Sequence, residues 1–343
     1  MTTMMTQGKF NGLMKLANQK GQIAAAAMDQ RGSLRKAIAK AGGVDPSRVT
    51  AGQMEEFKVA VSKALTPYAS AILLDPEFGL PALRARAKNA GVLLAYESTG
   101  YDQTEPGRMP SLIEGESAAS LKAKGADAIK ILLYYTPEEE EEINERKYDW
   151  VAQIGAECES RDIPFFLEFV GYDPLGGDEK GLGYAKRKPM IVRESIRMFS
   201  RAEYKVDVLK VEIPVNMAFV KGARSNQTGQ VAYTRGEAKQ CFREAAAVAL
   251  KPFIYLSAGV DDDVFRESLE LAIEARSSWA GVLCGRATWK EGIPLYARGG
   301  VAALDAWLLD RGVKNIQALN QIIERSAHPW WDMYGGRDQI QLS

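Results

Sequence analysis

Eight short apolar or β-branched runs recur along the chain, and segments of helical periodicity separate most of them. This alternation constrains the fold more than any other feature. The runs cover residues 22–28, 70–74, 92–96, 128–133, 164–170, 206–211, 253–256 and 281–284. Near-continuous apolar strands alternating with helices predict a parallel sheet whose outer face the helices cover. Eight such units predict an α/β chain closed into a (β/α)8 TIM barrel, with additional N- and C-terminal helices. No repeat, low-complexity tract or linker divides the sequence, so residues 1–343 read as one barrel domain.

Several helices announce their ends. Thr50-Ala-Gly-Gln53 and Thr234-Arg-Gly-Glu237 are capping boxes, in which each terminal side chain satisfies a free amide of the other residue. Gly125 suits a helix C-terminus. Pro189 suits a first helical turn, with Ile191, Val192, Ser195, Ile196 and Phe199 following on one side. A helix of modest length is predicted over 80–90. The five consecutive glutamates at 138–142 cannot share one helix face, and they read as a solvated helix start, where negative charge is favourable. Residues 171–183 hold five glycines and read as a long loop at the barrel mouth, in the place of a lid.

The strand tips carry the informative residues. Asp29, Asp75, Glu97, Lys130, Glu168, Lys210, Ser257 and Arg286 each end or follow an apolar run. Barrel enzymes keep their active sites at the strand C-terminal ends, and a purely structural barrel does not need so many charges there. Lys130 and Lys210 interrupt apolar strands, although lysine is rarely buried without a partner. The period of two places Val206, Val208 and Lys210 on one face. A lysine on the interior face beside a second cation is set up to attack a ketone as a free amine, and Lys130 is the candidate second cation. Glu168 ends a strand with no other charge and is a candidate acid/base. Ion pairing of either lysine with Asp29, Glu168 or Glu212 is compatible with the same positions.

Composition narrows the chemistry. The chain has one histidine, His328, near its C-terminus, so a histidine-rich zinc site or a histidine-dependent hydrolase triad has too few ligands or bases. No metal and no cofactor are expected. Lys plus Arg and Asp plus Glu are 44 each, which gives no basic excess for nucleic acid. The three cysteines, Cys158, Cys241 and Cys284, show neither disulfide nor metal spacing, and no run of about 18 apolar residues suggests a membrane span. No signal peptide is visible, so a cytoplasmic protein is expected. A negative substrate must then be held by local cations. The loops after the last two strands, with Ser257, Gly259, Gly285 and Arg286, sit where barrels bind phosphate through backbone amides. Arg286 adds a guanidinium suited to a bidentate contact. Gln30 and Arg31 follow the first strand and are candidates for the substrate's other end.

At these residues the sequence resembles the class I tagatose 1,6-bisphosphate aldolases. The resemblance covers essentially the whole chain. Its most specific stretches are Ala-Ile-Leu-Leu-Asp75-Pro-Glu-Phe-Gly-Leu-Pro, Leu-Leu-Ala-Tyr-Glu97-Ser-Thr-Gly-Tyr-Asp102, Asp-Ile-Pro-Phe-Phe-Leu-Glu168, Asp-Val-Leu-Lys210-Val-Glu-Ile-Pro-Val-Asn216, Tyr-Leu-Ser257-Ala-Gly259-Val and Gly-Val-Leu-Cys-Gly285-Arg286-Ala-Thr-Trp289. It implies a Schiff-base lysine at Lys210, an acid/base at Glu168, and supporting roles for Asp29 and Lys130. It also implies phosphate contacts from Ser257, Gly259, Gly285 and Arg286, with Gln30 and Arg31 near the other phosphate. The implied partner is a phosphorylated ketose, cleaved without metal, and a homo-oligomer is compatible with the chain. Ser33 stands where the family pattern reads Asp-Gln-Arg-Gly-Ala, and the 171–183 and 328–343 segments fit that pattern less well. Sulfofructose-phosphate aldolases share the Asp-Gln-Arg, Lys-Val-Glu and Gly-Arg-Ala patterns, and fructose bisphosphate is a further substrate of the same class. A sugar-phosphate-binding regulator on this scaffold would keep the phosphate loops but need no reactive lysine.

Overall fold

A computed structural model describes residues 3–343. All eight predicted strands form, and they close into a parallel barrel in sequence order. With the short N-terminal strand β1 (Thr3–Met5) counted first, the barrel strands are β2 (Ile23–Met28), β3 (Ala71–Leu74), β4 (Gly91–Ala95), β5 (Ala128–Tyr134), β6 (Phe165–Val170), β7 (Val208–Glu212), β8 (Phe253–Leu256) and β9 (Gly281–Cys284). β2 pairs with both β3 and β9, which leaves no free edge in this sheet.

Alternation divides each strand between two cores. Inward residues such as Ala25, Ala27, Leu73, Leu93, Ala128, Phe166, Val208 and Ile254 fill the barrel. Outward residues such as Ile72, Leu94, Ile129, Leu167, Leu209 and Val211 pack beneath the helices. Lys130 is in phase with Ala128, Glu168 with Phe166, and Lys210 with Val208, so all three project inward. Val206, expected in the strand and on the face of Lys210, precedes β7 and packs with the outer layer instead.

The helices are α1 (Gln7–Leu16), α2 (Gly32–Gly42), α3 (Ala51–Leu65), α4 (Leu80–Ala85), α5 (Ala118–Ala123), α6 (Glu141–Ser160), α7 (Leu182–Phe199), α8 (Arg235–Ala247), α9 (Asp262–Glu274), α10 (Arg286–Trp289), α11 (Ile293–Trp307) and α12 (Val313–Ser326). Both expected capping boxes form, at Thr50 on α3 and Thr234 on α8. Gly125 lies just beyond α5 at φ 104°, and the glutamate run opens α6.

Two helix boundaries differ from expectation. α4 ends at Ala85, because the 80–90 segment breaks where the Arg86 side chain reaches back to the carbonyls of Leu83 and Ala90. Pro189 does not start α7 but lies inside it, since the helix begins at Leu182. Pro189 has no N–H for the carbonyl of Ala185, and the Tyr233 hydroxyl donates to that carbonyl instead. A tertiary contact thus removes the usual reason for excluding an interior proline.

The termini meet at the bottom of the barrel, the end opposite the strand tips. β1 pairs in parallel with β10 (Ile340–Leu342). Leu13 and Leu16 of α1, together with Trp330 and Tyr334, extend the inner core downwards. α1 presses closely here, for a Cβ on Gly12 would stand 2.4 Å from the Asp127 carbonyl oxygen. Trp330 is fully buried, so the tail packs against the barrel rather than over its mouth. His328 belongs to this tail, its side chain half exposed.

Candidate active site

The strand tips enclose a cavity of about 620 Å3. Asp29, Gln30, Arg31, Glu97, Glu168, Lys210, Ser257, Gly259, Gly285 and Arg286 all line it. A cleft of similar volume, 650 Å3, opens at the barrel bottom around Lys15, Lys122, Asp127 and Asp162. Here Lys15 is paired with Asp127, and Lys122 donates to two main-chain carbonyls.

Strand register explains the first contact. Glu168 and Lys210 are direct neighbours across β6 and β7, and Lys210 Nζ lies 2.7 Å from Glu168 Oε2. Lys130 approaches from β5, with Nζ 3.0 Å from the same oxygen. Both lysine Nζ atoms therefore meet one carboxylate oxygen. Lys130 also donates to Asp29 Oδ2 at 2.9 Å and to Glu97 Oε1 at 2.7 Å.

The two lysines thus differ in environment. Lys130 is essentially buried, which disfavours its charge, yet the carboxylates of Asp29, Glu168 and Glu97 outweigh burial and hold it well above the ordinary lysine range. It is a fixed cation. Lys210 has one carboxylate partner, Glu168, and opens onto the cavity. Of the two, Lys210 is the amine free to meet a ligand.

The carboxylates are tuned apart. Burial would raise Asp29, but Lys130, Lys210 and Lys58 together hold it well below the usual carboxylate range. Burial raises Glu97 despite Lys130 and Arg31 beside it, with Asp29 adding to the rise. Burial also pushes the Cys284 thiol up to about 12, which removes it as a nucleophile at neutral pH.

The loops after β8 and β9, expected to hold phosphate, both border the cavity. Ala258 and Gly259 both have positive φ, 48° and 77°, and Val260 N donates to Ser257 O, so residues 257–260 form a tight turn. A Cβ on Gly259 would stand 2.8 Å from Arg286 Cζ, so only glycine lets the guanidinium lie across this turn. Arg286 is exposed to the cavity and makes no ion pair among the described residues. Arg286→Ala is expected to lower kcat/KM about ten- to hundredfold, the range for a charge-assisted bond of about 1.5–3 kcal/mol. Steady-state kinetics on a mono- and a bisphosphorylated ketose checks it; an equal response to both, or none, would remove Arg286 from phosphate binding.

At the opposite side Gln30 Nε2 donates to Asp29 Oδ1 at 3.1 Å, while its Oε1 is buried without a partner. Arg31 lines the cavity, but one amino group donates to the Glu97 carbonyl at 2.7 Å and its Nε is buried without a partner. Lys36, on α2, also lines this side and makes no ion pair among the described residues. Sequence reading missed it, because a lysine on an exposed helix face carries no signal of its own.

Two other expectations change. Asp75 is not at the mouth; it is fully buried and paired with Lys58 of α3. The 171–183 segment lines none of the cavity, and its last two residues already belong to α7. The cavity wall comes instead from the connection after β4, through Ser98, Thr99, Gly100, Tyr101 and Gln103. That connection folds back on itself, with Ser98 N donating to Ser111 O and Ile113 N to Tyr96 O. The Arg108 guanidinium stacks on Tyr101, Tyr134 and Tyr172 and pairs with Glu179, which ties the wall to the 171–183 segment behind it. No local periodicity marks this connection, and its order depends on distant aromatic rings.

Comparison with known proteins agrees with this geometry. A family model described as DeoC/LacD family aldolase matches residues 23–291. The chain is 49% identical over 337 residues to the tagatose 1,6-diphosphate aldolase of Listeria monocytogenes serotype 4b (strain CLIP80459), covering 98% of each. It is 51% identical over 326 residues to tagatose 1,6-diphosphate aldolase 2 of Enterococcus faecalis (strain ATCC 700802 / V583), covering 95% of this chain and 96% of the relative. Among solved structures, fructose-bisphosphate aldolase from Plasmodium falciparum superposes with a TM-score of 0.66 at 14% identity, over 90% of this chain and 92% of the other. An archaeal fructose 1,6-bisphosphate aldolase gives 0.56 at 13%, over 95% and 98%. At such identities these two speak for the barrel alone. The match across most of the barrel, with relatives this similar over nearly full length, makes the chain a member of the DeoC/LacD family of aldolases.

Proposed function

We propose that the chain is a class I aldolase that cleaves D-tagatose 1,6-bisphosphate to dihydroxyacetone phosphate and D-glyceraldehyde 3-phosphate through a Schiff base on Lys210. One observation carries the chemistry: Lys210 meets a single carboxylate, while Lys130 beside it is held cationic by three. The near-full-length relatives named tagatose 1,6-diphosphate aldolase support the choice of sugar.

The substrate lies across the cavity. One phosphate meets the amides around Ser257, Gly259 and Gly285 with Arg286; the other points toward Gln30, Arg31 and Lys36. Lys210 attacks the C2 carbonyl. Glu168, 2.7 Å from the amine, moves the protons that expel water from the carbinolamine. The iminium is the electron sink. Glu168, with Asp29, accepts the proton of the C4 hydroxyl, the C3–C4 bond breaks, and glyceraldehyde 3-phosphate leaves. The enamine is protonated at C3, and water releases dihydroxyacetone phosphate and restores Lys210. Lys130 keeps Asp29 ionised until it is used.

The free thiols of Cys158, Cys241 and Cys284 support a reducing, cytoplasmic location. No helix among the described residues is long and apolar enough to cross a membrane.

The test is borohydride trapping with dihydroxyacetone phosphate in EDTA, followed by intact mass and peptide mapping. The expected product is one reduced adduct, on Lys210. Ligand binding with no adduct, or an adduct elsewhere, would overturn the assignment and favour a binding protein.

A further inference from the structure

Lys58 is a fully buried lysine that no step of the proposed reaction uses. It stands on α3, within a helix face otherwise occupied by Met54, Phe57, Val61 and Leu65. Its ammonium donates to the Met28 carbonyl at 2.7 Å and to the Gln30 carbonyl at 2.9 Å, and its third partner is the buried Asp75 carboxylate. Asp75 is held in turn, since its Oδ1 accepts the Phe78 N–H at 2.8 Å. Three donors therefore meet three acceptors with no surplus.

The two carbonyls belong to the residues on either side of Asp29. β2 ends at Met28, so from Asp29 onward the chain leaves the barrel ladder that would otherwise satisfy and orient its backbone groups. We propose that Lys58, anchored by Asp75, is a positioning residue that grips the backbone on both sides of Asp29 and aims its carboxylate at Lys130 and Lys210. This inference rests on the reading of the mouth given above. The Lys58 charge also helps hold Asp29 ionised, although burial lowers the affinity of Lys58 for its own proton.

An ion pair kept only for stability would be an odd choice at this depth. A buried pair is commonly no better than two apolar side chains of similar volume, whereas removing one partner is strongly unfavourable. That asymmetry supplies the test. Lys58→Met leaves Asp75 buried and unpaired, so it is expected to lower Tm. The double variant Lys58→Met/Asp75→Leu is expected to regain most of that Tm. If Lys58 positions Asp29, the double variant keeps a low kcat, at least about tenfold below the parent, because displacement of a reacting group by about 1 Å costs on the order of a hundredfold. KM is expected to stay within about threefold, and the acid limb of kcat to move to higher pH as Asp29 loses a neighbouring cation. Lys58→Gln keeps two N–H donors and is expected to fall between the parent and the methionine variants; it carries the same test if the double variant does not fold.

The measurements are cleavage of tagatose 1,6-bisphosphate, thermal melting, and borohydride trapping of dihydroxyacetone phosphate in each folded variant. Parent-like kcat and an unmoved acid limb in a folded Lys58 variant would overturn the inference, because only stability would have changed. Absence of a Lys210 adduct in the unaltered protein would instead overturn the reading of the site.

Discussion

Replacement of Lys210 by methionine is expected to abolish aldol cleavage, with a loss of about four orders of magnitude or more in kcat, while the protein stays folded. The other lysine that lines the cavity, Lys36 of α2, is not among the groups paired with Glu168. Among the described residues Lys130 is the only other amine at Glu168, and Asp29, Glu97 and Glu168 hold it as an ammonium. An ammonium has no lone pair for a carbonyl, so rescue by Lys130 is not expected. Loss of a covalent nucleophile ordinarily removes most of the rate enhancement, and the remaining binding groups contribute little alone. Folding should survive, because Lys210 lies at the cavity surface with one ionic partner, and methionine fills a similar volume. Isothermal titration with dihydroxyacetone phosphate should still give binding through the phosphate loops. A borohydride adduct persisting at another lysine would sink the assignment.

Lys130→Met should show the reverse order of effects, with stability suffering first. Methionine there leaves Asp29, Glu97 and Glu168 facing one another around an apolar group. Removing one member of a buried ionic cluster costs about 3–5 kcal/mol. Against a total stability of about 5–15 kcal/mol, that is a large fraction. The pH dependence should identify the cause. Lys130 has its affinity for the proton raised above the ordinary value of 10.5, so its stabilising contribution is complete below that pH and is lost only above it. Asp29 is depressed, so its contribution is present above about pH 4 and fades on acidification. Without Lys130 the burial of Asp29 and Glu97 is less well opposed, so both bind protons more readily in the folded state. The loss relative to the parent should therefore be largest near neutral pH and shrink as pH falls toward about 4. Urea melts at several pH values read this directly. A deficit that does not change with pH would point to packing rather than charge. Turnover should also fall, since Asp29 loses a cation that keeps it ionised.

The barrel was legible because its periodicity is local. Strand runs of four to seven residues alternate between inner and outer cores, so β8 and β9 emerge at the expected residues. The capping boxes at Thr50 and Thr234 were legible for the same reason, each being completed within four residues. Lys130, Lys210 and Glu168 stood out as charges inside apolar strands, where burial makes an unexplained charge costly.

Other features depended on contacts between residues far apart in the chain. Pro189 sits inside α7 because Tyr233, 44 positions on, takes over a carbonyl that the proline leaves free. The cavity wall comes from the connection after β4 rather than the glycine-rich segment, because Arg108 collects Tyr101, Tyr134 and Tyr172 from separate parts of the chain. Asp75 looked like a mouth residue, and nothing in the sequence singled out Lys58, until their burial against each other joined them beneath Asp29. The amino-acid sequence by itself determined the strands, their order and the ionisable groups at their tips, since hydrophobic alternation acts over neighbouring residues. Only the tertiary structure decided which lysine is surrounded and which is free, because charge neutralisation depends on distances set by barrel closure.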